Sequence, residues 1–357
     1  MSDGLRFAFF GSSLISSYWN GACTYYRGII RSLHERGHST CFYEPRAYQR
    51  QEHRDIPDPD WAKVVVYEPE QALEMVARAG DADVVVKTSG VGVGDALLDG
   101  AVIDLDRAQL KVFWDVDAPA TLARVEADAG DPFRELIPEY DLVLTYGGGD
   151  PVVRRYEALG AAACVPVYNA LDPVTHRPVA PRREYAADLS FLGNRLPDRE
   201  ARVDEFFLRA AELAPACSFL LGGSGWQDKP IAQNVRWIGH VGTESHNAFN
   251  CSALAVLNVT RDSMVENGWS PPTRVFEAAG AGACLITDAW EGIDDFLEPG
   301  AEVLVARDGA EVAAHLESLD PERAQGLGAA ARERICAEHT YAQRAEQLEA
   351  ILMGVAR

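Results

Sequence analysis

No run of about 18 consecutive apolar residues interrupts the 357-residue chain, so nothing in it reads as a membrane-spanning helix. The opening MSDGLRFAFFGSS lacks the basic n-region and cleavable apolar core of a secretion signal and reads instead as a first strand. Cysteine is sparse and unpaired in pattern. The seven residues are scattered, odd in number and never spaced C-x-x-C, which predicts buried thiols in a reducing, cytoplasmic setting rather than a disulfide framework. Positive charge is scarce as well. The net charge of −21 opposes binding to nucleic acid or to an anionic membrane. A phosphate-bearing ligand must then be held by a local arginine cluster or by a helix amino terminus.

Signatures of several chemistries are missing too. Of the eight histidines, His240 and His246 stand six apart rather than at metal-ligand spacing, and no bound metal is expected. No G-x-S-x-G nucleophile elbow occurs. The stretch KTSGVGVGD (87–95) lacks G-x-G-x-x-G spacing, which disfavours a nicotinamide oxidoreductase. There is neither a fixed-period repeat nor a low-complexity tract.

What is present is alternation. RFAFFG (6–11), STCFYEP (39–45), DADVVVKTSG (81–90), QLKVFWDVDAP (109–119) and EYDLVLTYGGG (139–149) read as strands, and 21–37 and 70–80 as helices. The segment 173–187, with three prolines and no apolar period, reads as an interdomain linker. Strand and helix then alternate again through ADLSFLGN (187–194), a helix over 199–213, FLLGG, NVRWIGHV, ALAVLNVT, ACLITD and EVLVA, ending in two helices. The length suits two domains, and 47 % apolar residues can fill two cores. The expectation is α/β: two doubly wound Rossmann-like domains, 1–172 and 188–340, facing across a cleft, with 341–357 as a closing helix. Ligands in such sheets sit outside the carboxyl ends of the strands.

Polar residues at strand ends are therefore the candidates. In SPPTRVFEAAGAG (270–282), prolines sit where a helix begins, Ser270 or Thr273 can cap, and Arg274 and Glu277 share a face. The free amides, the helix dipole and the Arg274 guanidinium together suit a diphosphate, and Glu277 suits two ribose hydroxyls. FLGNRLPDRE (191–200) places Asn194, Arg195 and Arg199 at a second strand end. Trp226, in FLLGGSGW, is a candidate to stack on a base. Asp115 and Asp117, in VFWDVDAPAT, are candidates for a general base or for orienting an acceptor. Ser12, Ser13 and Asn20 lie in the loop after the first strand and can touch donor or acceptor.

The ordered series SFLGN, NVRWIGHV, ALAVLNVTRDSM, TRVFEAAGAGACLITD, DDFLEPGAEVLV and HTYAQRAEQL resembles the CgeB-like glycosyltransferases of GT-B fold, and FWDVDAP is similar to a segment of their first domain. The resemblance implies a metal-independent hexosyltransferase with no cofactor. Its cosubstrate would be a nucleotide-diphosphate sugar, held mainly by the second domain through Thr273, Arg274 and Glu277. The acceptor would be held mainly by the first domain. Retaining members of such families carry a glutamate eight residues before the ribose-binding one, and here Trp269 stands in that place. The mechanism expected has Arg274 and Arg195 stabilising the leaving diphosphate while Asp117, or Asp115, acts on the acceptor hydroxyl. A nucleotide-sugar epimerase and a non-catalytic sugar-nucleotide or glycan-binding protein use the same donor site and remain open at this point.

Overall fold

The computed structural model describes residues 4–18, 20–105 and 110–355; Trp19, within the loop singled out above, lies outside them. The chain divides into two compact units. One holds the residues up to Tyr168 together with those from Tyr341 on, the other Asn169–Thr340.

The first unit is built on a parallel sheet of β1 (Arg6–Phe10), β2 (Ser39–Pro45), β3 (Lys63–Tyr67), β4 (Val84–Thr88), β5 (Leu110–Asp115), β6 (Leu142–Thr145) and β7 (Cys164–Pro166), in spatial order β3-β2-β1-β4-β5-β6-β7. β4 and β6 are buried along their whole length, as expected where helices cover both faces. The core gathers Phe10, Val85, Leu98, Phe113, Leu122, Tyr140 and Tyr156. The closing helix Tyr341–Val355 packs on helix Cys23–Glu35. A Cβ on Gly28 would lie 2.2 Å from the Tyr341 ring, so only glycine permits that approach. His38 Nε2 meets Glu349 Oε1 at 2.5 Å, and Arg36 pairs with the same carboxylate.

The second unit carries β8 (Ala187–Leu192), β9 (Phe219–Gly222), β10 (Val235–Trp237), β11 (Ala253–Asn258), β12 (Leu285–Asp288) and β13 (Leu304–Ala306), all parallel, in order β10-β9-β8-β11-β12-β13. Strand order therefore reverses between β1 and β4 in one sheet and between β8 and β11 in the other. Loops leave opposite ways at such a switch point and open a crevice at the strands' carboxyl ends.

Four local expectations change. β3 is a strand that the pattern reading passed over; at the sheet edge its three valines are only partly buried and do not alternate. Helices Asp95–Ile103 and Gly149–Ala158 begin directly at Gly94 and Gly148, which hold left-handed φ of 73° and 93°, so the glycines at the end of the stretch 139–149 open a helix rather than extend a strand. Three helices, not two, follow β13, because Asp320 caps Pro321–Glu338 by accepting from Arg323 N and separates it from Gly309–Ser318. The segment 173–187 is not a free linker but a strap laid on the second unit. Leu171 and the His176 carbonyl approach Gly280 so closely that a Cβ there would fall 2.3 Å from Leu171 Cδ1. Asn247 Nδ2 donates to Thr175 O at 2.7 Å, and Arg182 N to Ser252 Oγ at 2.8 Å.

Candidate functional site

At the switch point of the second sheet, the loops after β8 and β9 are locked to each other. Gly193 N donates to Gly222 O, Arg195 N to Ser224 O and Ser224 N to Asn194 Oδ1, each at 2.9 Å. A Cβ on Gly223, whose φ is +120°, would sit 2.1 Å from Gly193 O, so the two chains touch backbone to backbone. Trp226 belongs to this lock. It is 2 % exposed, sits in the hydrophobic core and donates its indole N–H to Gly193 O at 2.8 Å. No ring face is left for a base to stack on, which corrects that expectation. Asn194, exposed, spends its side-chain oxygen on the Ser224 amide.

The expectation for Arg195 also changes. Its guanidinium lies 2.7 Å from Glu200 and 2.9 Å from Asp228, and hydrogen bonding to Glu200 leads in holding its pKa above the ordinary arginine value. Its charge is spent within the protein. Arg199 is held differently. One of its nitrogens donates to the Asn194 carbonyl at 2.9 Å, its plane lies 5.6 Å over the Phe191 ring, and its Nε is buried without a partner. Burial first, and then the charge of Arg274, push the Arg199 pKa down to about 10.

Arg274 is partly buried on the first turn of helix Thr273–Gly280, and burial lowers its pKa as well. Neither Arg199 nor Arg274 has a carboxylate at ion-pair distance among the described residues. Two guanidinium groups thus share one site with no ion pair, and the carboxylates that act on them, Asp198 for Arg199 and Glu277 for Arg274, offset the burial only in part. The same place holds the start of the helix. Its N-cap is Pro272 in extended conformation, with no side chain capping it, because Ser270 Oγ donates to Gly268 O at 2.9 Å and Thr273 is already the first helical residue. The Thr273 and Arg274 amides are orphan donors of that first turn. Positive helix end and paired arginines superpose.

One turn on, Glu277 stands with His176 Nε2 at 3.7 Å. His246, half-buried at the start of helix His246–Ser252, has its pKa lowered first by that partial burial and also by Arg274, while Glu277 acts the other way. Sequence reasoning missed both histidines. They come from the strap and from the segment after β10, and no spacing relates either to Glu277. Behind the site, Asp288 at the end of β12 accepts from Thr260 N and Oγ1 and from Arg202 Nη2 at 2.6 Å, which ties the loop after β11 to the sheet. Trp269 holds a left-handed φ of 39°, with its amide on Glu291 O and its indole N–H on Asp295 Oδ2.

In the first unit, Asp115 and Asp117 part ways. Asp115 is 0 % exposed and accepts from Tyr156 Oη at 2.5 Å, Thr121 Oγ1 at 3.1 Å and Asp117 N at 3.0 Å. It is a buried anchor that fixes the following turn, not a base open to solvent. Asp117 is exposed at the start of helix Ala118–Ala127. Ser12, Ser13 and Asn20 are buried and bond one another. Ser12 Oγ donates to Asn20 Oδ1 at 2.9 Å, Asn20 Nδ2 donates to Ser13 O at 2.8 Å, and Ser16 N donates to Ser13 Oγ at 3.1 Å. These side chains shape their loop and have little left for a ligand.

Residues 199–350 match the family profile described as glycosyl transferase-like. No curated protein matches the sequence. Among solved structures, sucrose-phosphate synthase from Thermosynechococcus elongatus superposes with a TM-score of 0.67 at 13 % identity, over 98 % of this chain and 99 % of that one. Alr3699/HepE of Anabaena, solved with UDP and glucose, gives 0.68 at 13 %, over 98 % and 100 %. BGT of phage T4, solved with its UDP-glucose substrate, gives 0.63 at 11 %, over 98 % and 99 %. The fold is GT-B. The profile covers Arg199, Arg274 and the whole of helix Thr273–Gly280. Among the described residues no helix is long and apolar enough to cross a membrane.

Proposed function

We propose that the chain is a metal-independent glycosyltransferase of hexosyl type, CgeB-like, acting in the cytoplasm. It takes its sugar from a nucleotide-diphosphate donor bound by the second unit and passes it to an acceptor hydroxyl. One observation carries the reading: Arg199 and Arg274, with no carboxylate at ion-pair distance among the described residues, meet an uncapped helix amino terminus at the β8/β11 switch point. That arrangement suits a ligand with two negative charges on adjacent phosphates. The charge that grows on the departing diphosphate falls on donors already in place, so no reorganisation is needed at the moment of transfer.

Glu277, one turn into the helix, accepts from the ribose hydroxyls. Asp117 takes or orients the acceptor proton, and Asp115 sets its position by accepting from its backbone N–H. The UDP-sugars bound by proteins of this fold make UDP-glucose the first donor to try.

A thermal-shift screen against UDP-, GDP-, dTDP- and CMP-sugars tests the reading, since a ligand bound to the folded state raises its apparent stability. For the donor so found, Arg274→Ala weakens binding by about 1.5–3 kcal/mol, the range for hydrogen bonds to charged groups. An unchanged calorimetric affinity in the folded variant refutes the assignment.

A further inference from the structure

β4 reads Val-Val-Val-Lys-Thr and is buried throughout, yet its fourth residue is a lysine only 2 % exposed. An ammonium in such a place must be paired. Lys87 Nζ lies 2.7 Å from Asp95 Oδ1 and 2.7 Å from Asp99 Oδ1. In register with Lys87 on the neighbouring strand stands Phe113, whose ring packs 4.5 Å from that of Phe133. Between these side chains and helices Asp95–Ile103 and Ala118–Ala127 lies a cavity of about 400 Å³. It is lined by residues on and just past β4 and β5, so it reaches the carboxyl edge of the first sheet, where Asp117 is one of its walls.

The lining defines a chemistry. Phe113, Phe133 and Leu136 form an apolar wall. Ser89 Oγ accepts from Val116 N and keeps its own hydrogen to give, whereas Thr121 Oγ1 gives its hydrogen to Asp115 and keeps lone pairs to accept. Asp117 adds a carboxylate. Donor, acceptor and apolar face in one small space match a ring that bears hydroxyl groups, each of which both donates and accepts. Positive charge is already committed: Lys87 faces two carboxylates, and Arg124 pairs with Asp131. An anionic ligand would meet no uncompensated cation. The volume lies at the lower end of the ~300–1,000 Å³ typical of small-molecule sites, which admits one ring and excludes a polymer segment of any length.

We infer that this cavity is the subsite for the acceptor, and that it takes a single uncharged, hydroxylated ring of sugar size, presenting one hydroxyl to Asp117. The word acceptor rests on the glycosyltransferase reading; the binding of a neutral hydroxylated ring does not.

The test titrates the full chain with methyl glucopyranoside and with glucose 6-phosphate, in wild type and in two rim variants, Ala120→Phe and Ala96→Phe. Both alanines line the cavity and are exposed, so the larger side chains close it without entering the core. UDP-glucose is titrated in parallel. The expected result is saturable glycoside binding in the wild type, at least tenfold weaker binding of the phosphorylated twin, and at least a tenfold loss in either variant, with UDP-glucose affinity unchanged within twofold. Absence of glycoside binding up to 50 mM, equal binding of the phosphate, or full glycoside affinity in both variants overturns the inference. Failure of UDP-glucose to bind the wild type strikes the donor reading alone and leaves the cavity result standing.

Discussion

Replacing Arg199 by methionine separates a ligand-binding cation from a structural one, because the two roles move stability in opposite directions. Methionine keeps an unbranched stem over the Phe191 ring and removes the charge. In the free protein that charge is held at a cost: burial and the neighbouring Arg274 push the Arg199 pKa down to about 10. Each pKa unit corresponds to ~1.4 kcal/mol between charged and neutral forms. Partial exposure screens much of this, and the hydrogen bond to the Asn194 carbonyl is lost, so the net gain on removing the charge is about 1 kcal/mol. Arg199→Met therefore keeps or raises Tm in the absence of ligand. Donor affinity falls instead by about 1.5–3 kcal/mol, or roughly 10- to 150-fold in Kd. Differential scanning calorimetry and titration calorimetry with UDP-glucose read the two effects, and the affinity loss shrinks as salt screens the charge. A variant that melts several degrees lower while binding UDP-glucose as before refutes the reasoning, for Arg199 would then be a structural residue.

Glu277→Ala should lower affinity for UDP more than for 2′-deoxy-UDP, so that the two bind alike; a preserved preference for the ribonucleotide places the ribose elsewhere. Asp117→Asn should cut kcat while leaving UDP-glucose affinity within twofold, whereas Asp115→Ala should lower stability by about 1–3 kcal/mol, since it strands the buried hydroxyls of Tyr156 and Thr121; denaturant melts and steady-state kinetics distinguish them. The docking of the last helix should be acid-labile. Arg36, ahead of His38, holds the Glu349 carboxyl below its ordinary pKa, so its contribution is present above the unfolded value and lost as pH falls through the folded one. The Tm gap between wild type and Glu349→Gln should accordingly be open at pH 6 and close below about pH 4; a gap independent of pH contradicts the pairing.

Much of the architecture was legible in the chain because hydropathy is local. A fully buried parallel strand is a short apolar run, and RFAFF, VVV, LVL, ALAVLN and LITD announce themselves without reference to their neighbours. The half-buried edge strand KVVVY carried no such contrast and was passed over. The helix after Pro272 was legible for the same reason, since proline at its start and the small residues beyond it act within one or two turns, and with it came Thr273, Arg274 and Glu277.

Tertiary structure alone decided which charges are available. Arg195 and Arg199 stand four residues apart in one basic loop, and nothing in the sequence distinguishes them. The fold brings Glu200 and Asp228 onto the first and Arg274 beside the second. Asp115 and Asp117 are likewise twins in the chain, separated only when Tyr156 and Thr121 close over one of them. Local pattern thus determines elements, because helix and strand preferences are set by near neighbours. Whether an ionised group is spent or left to meet a ligand depends on partners tens of residues away, and only the folded chain brings them together.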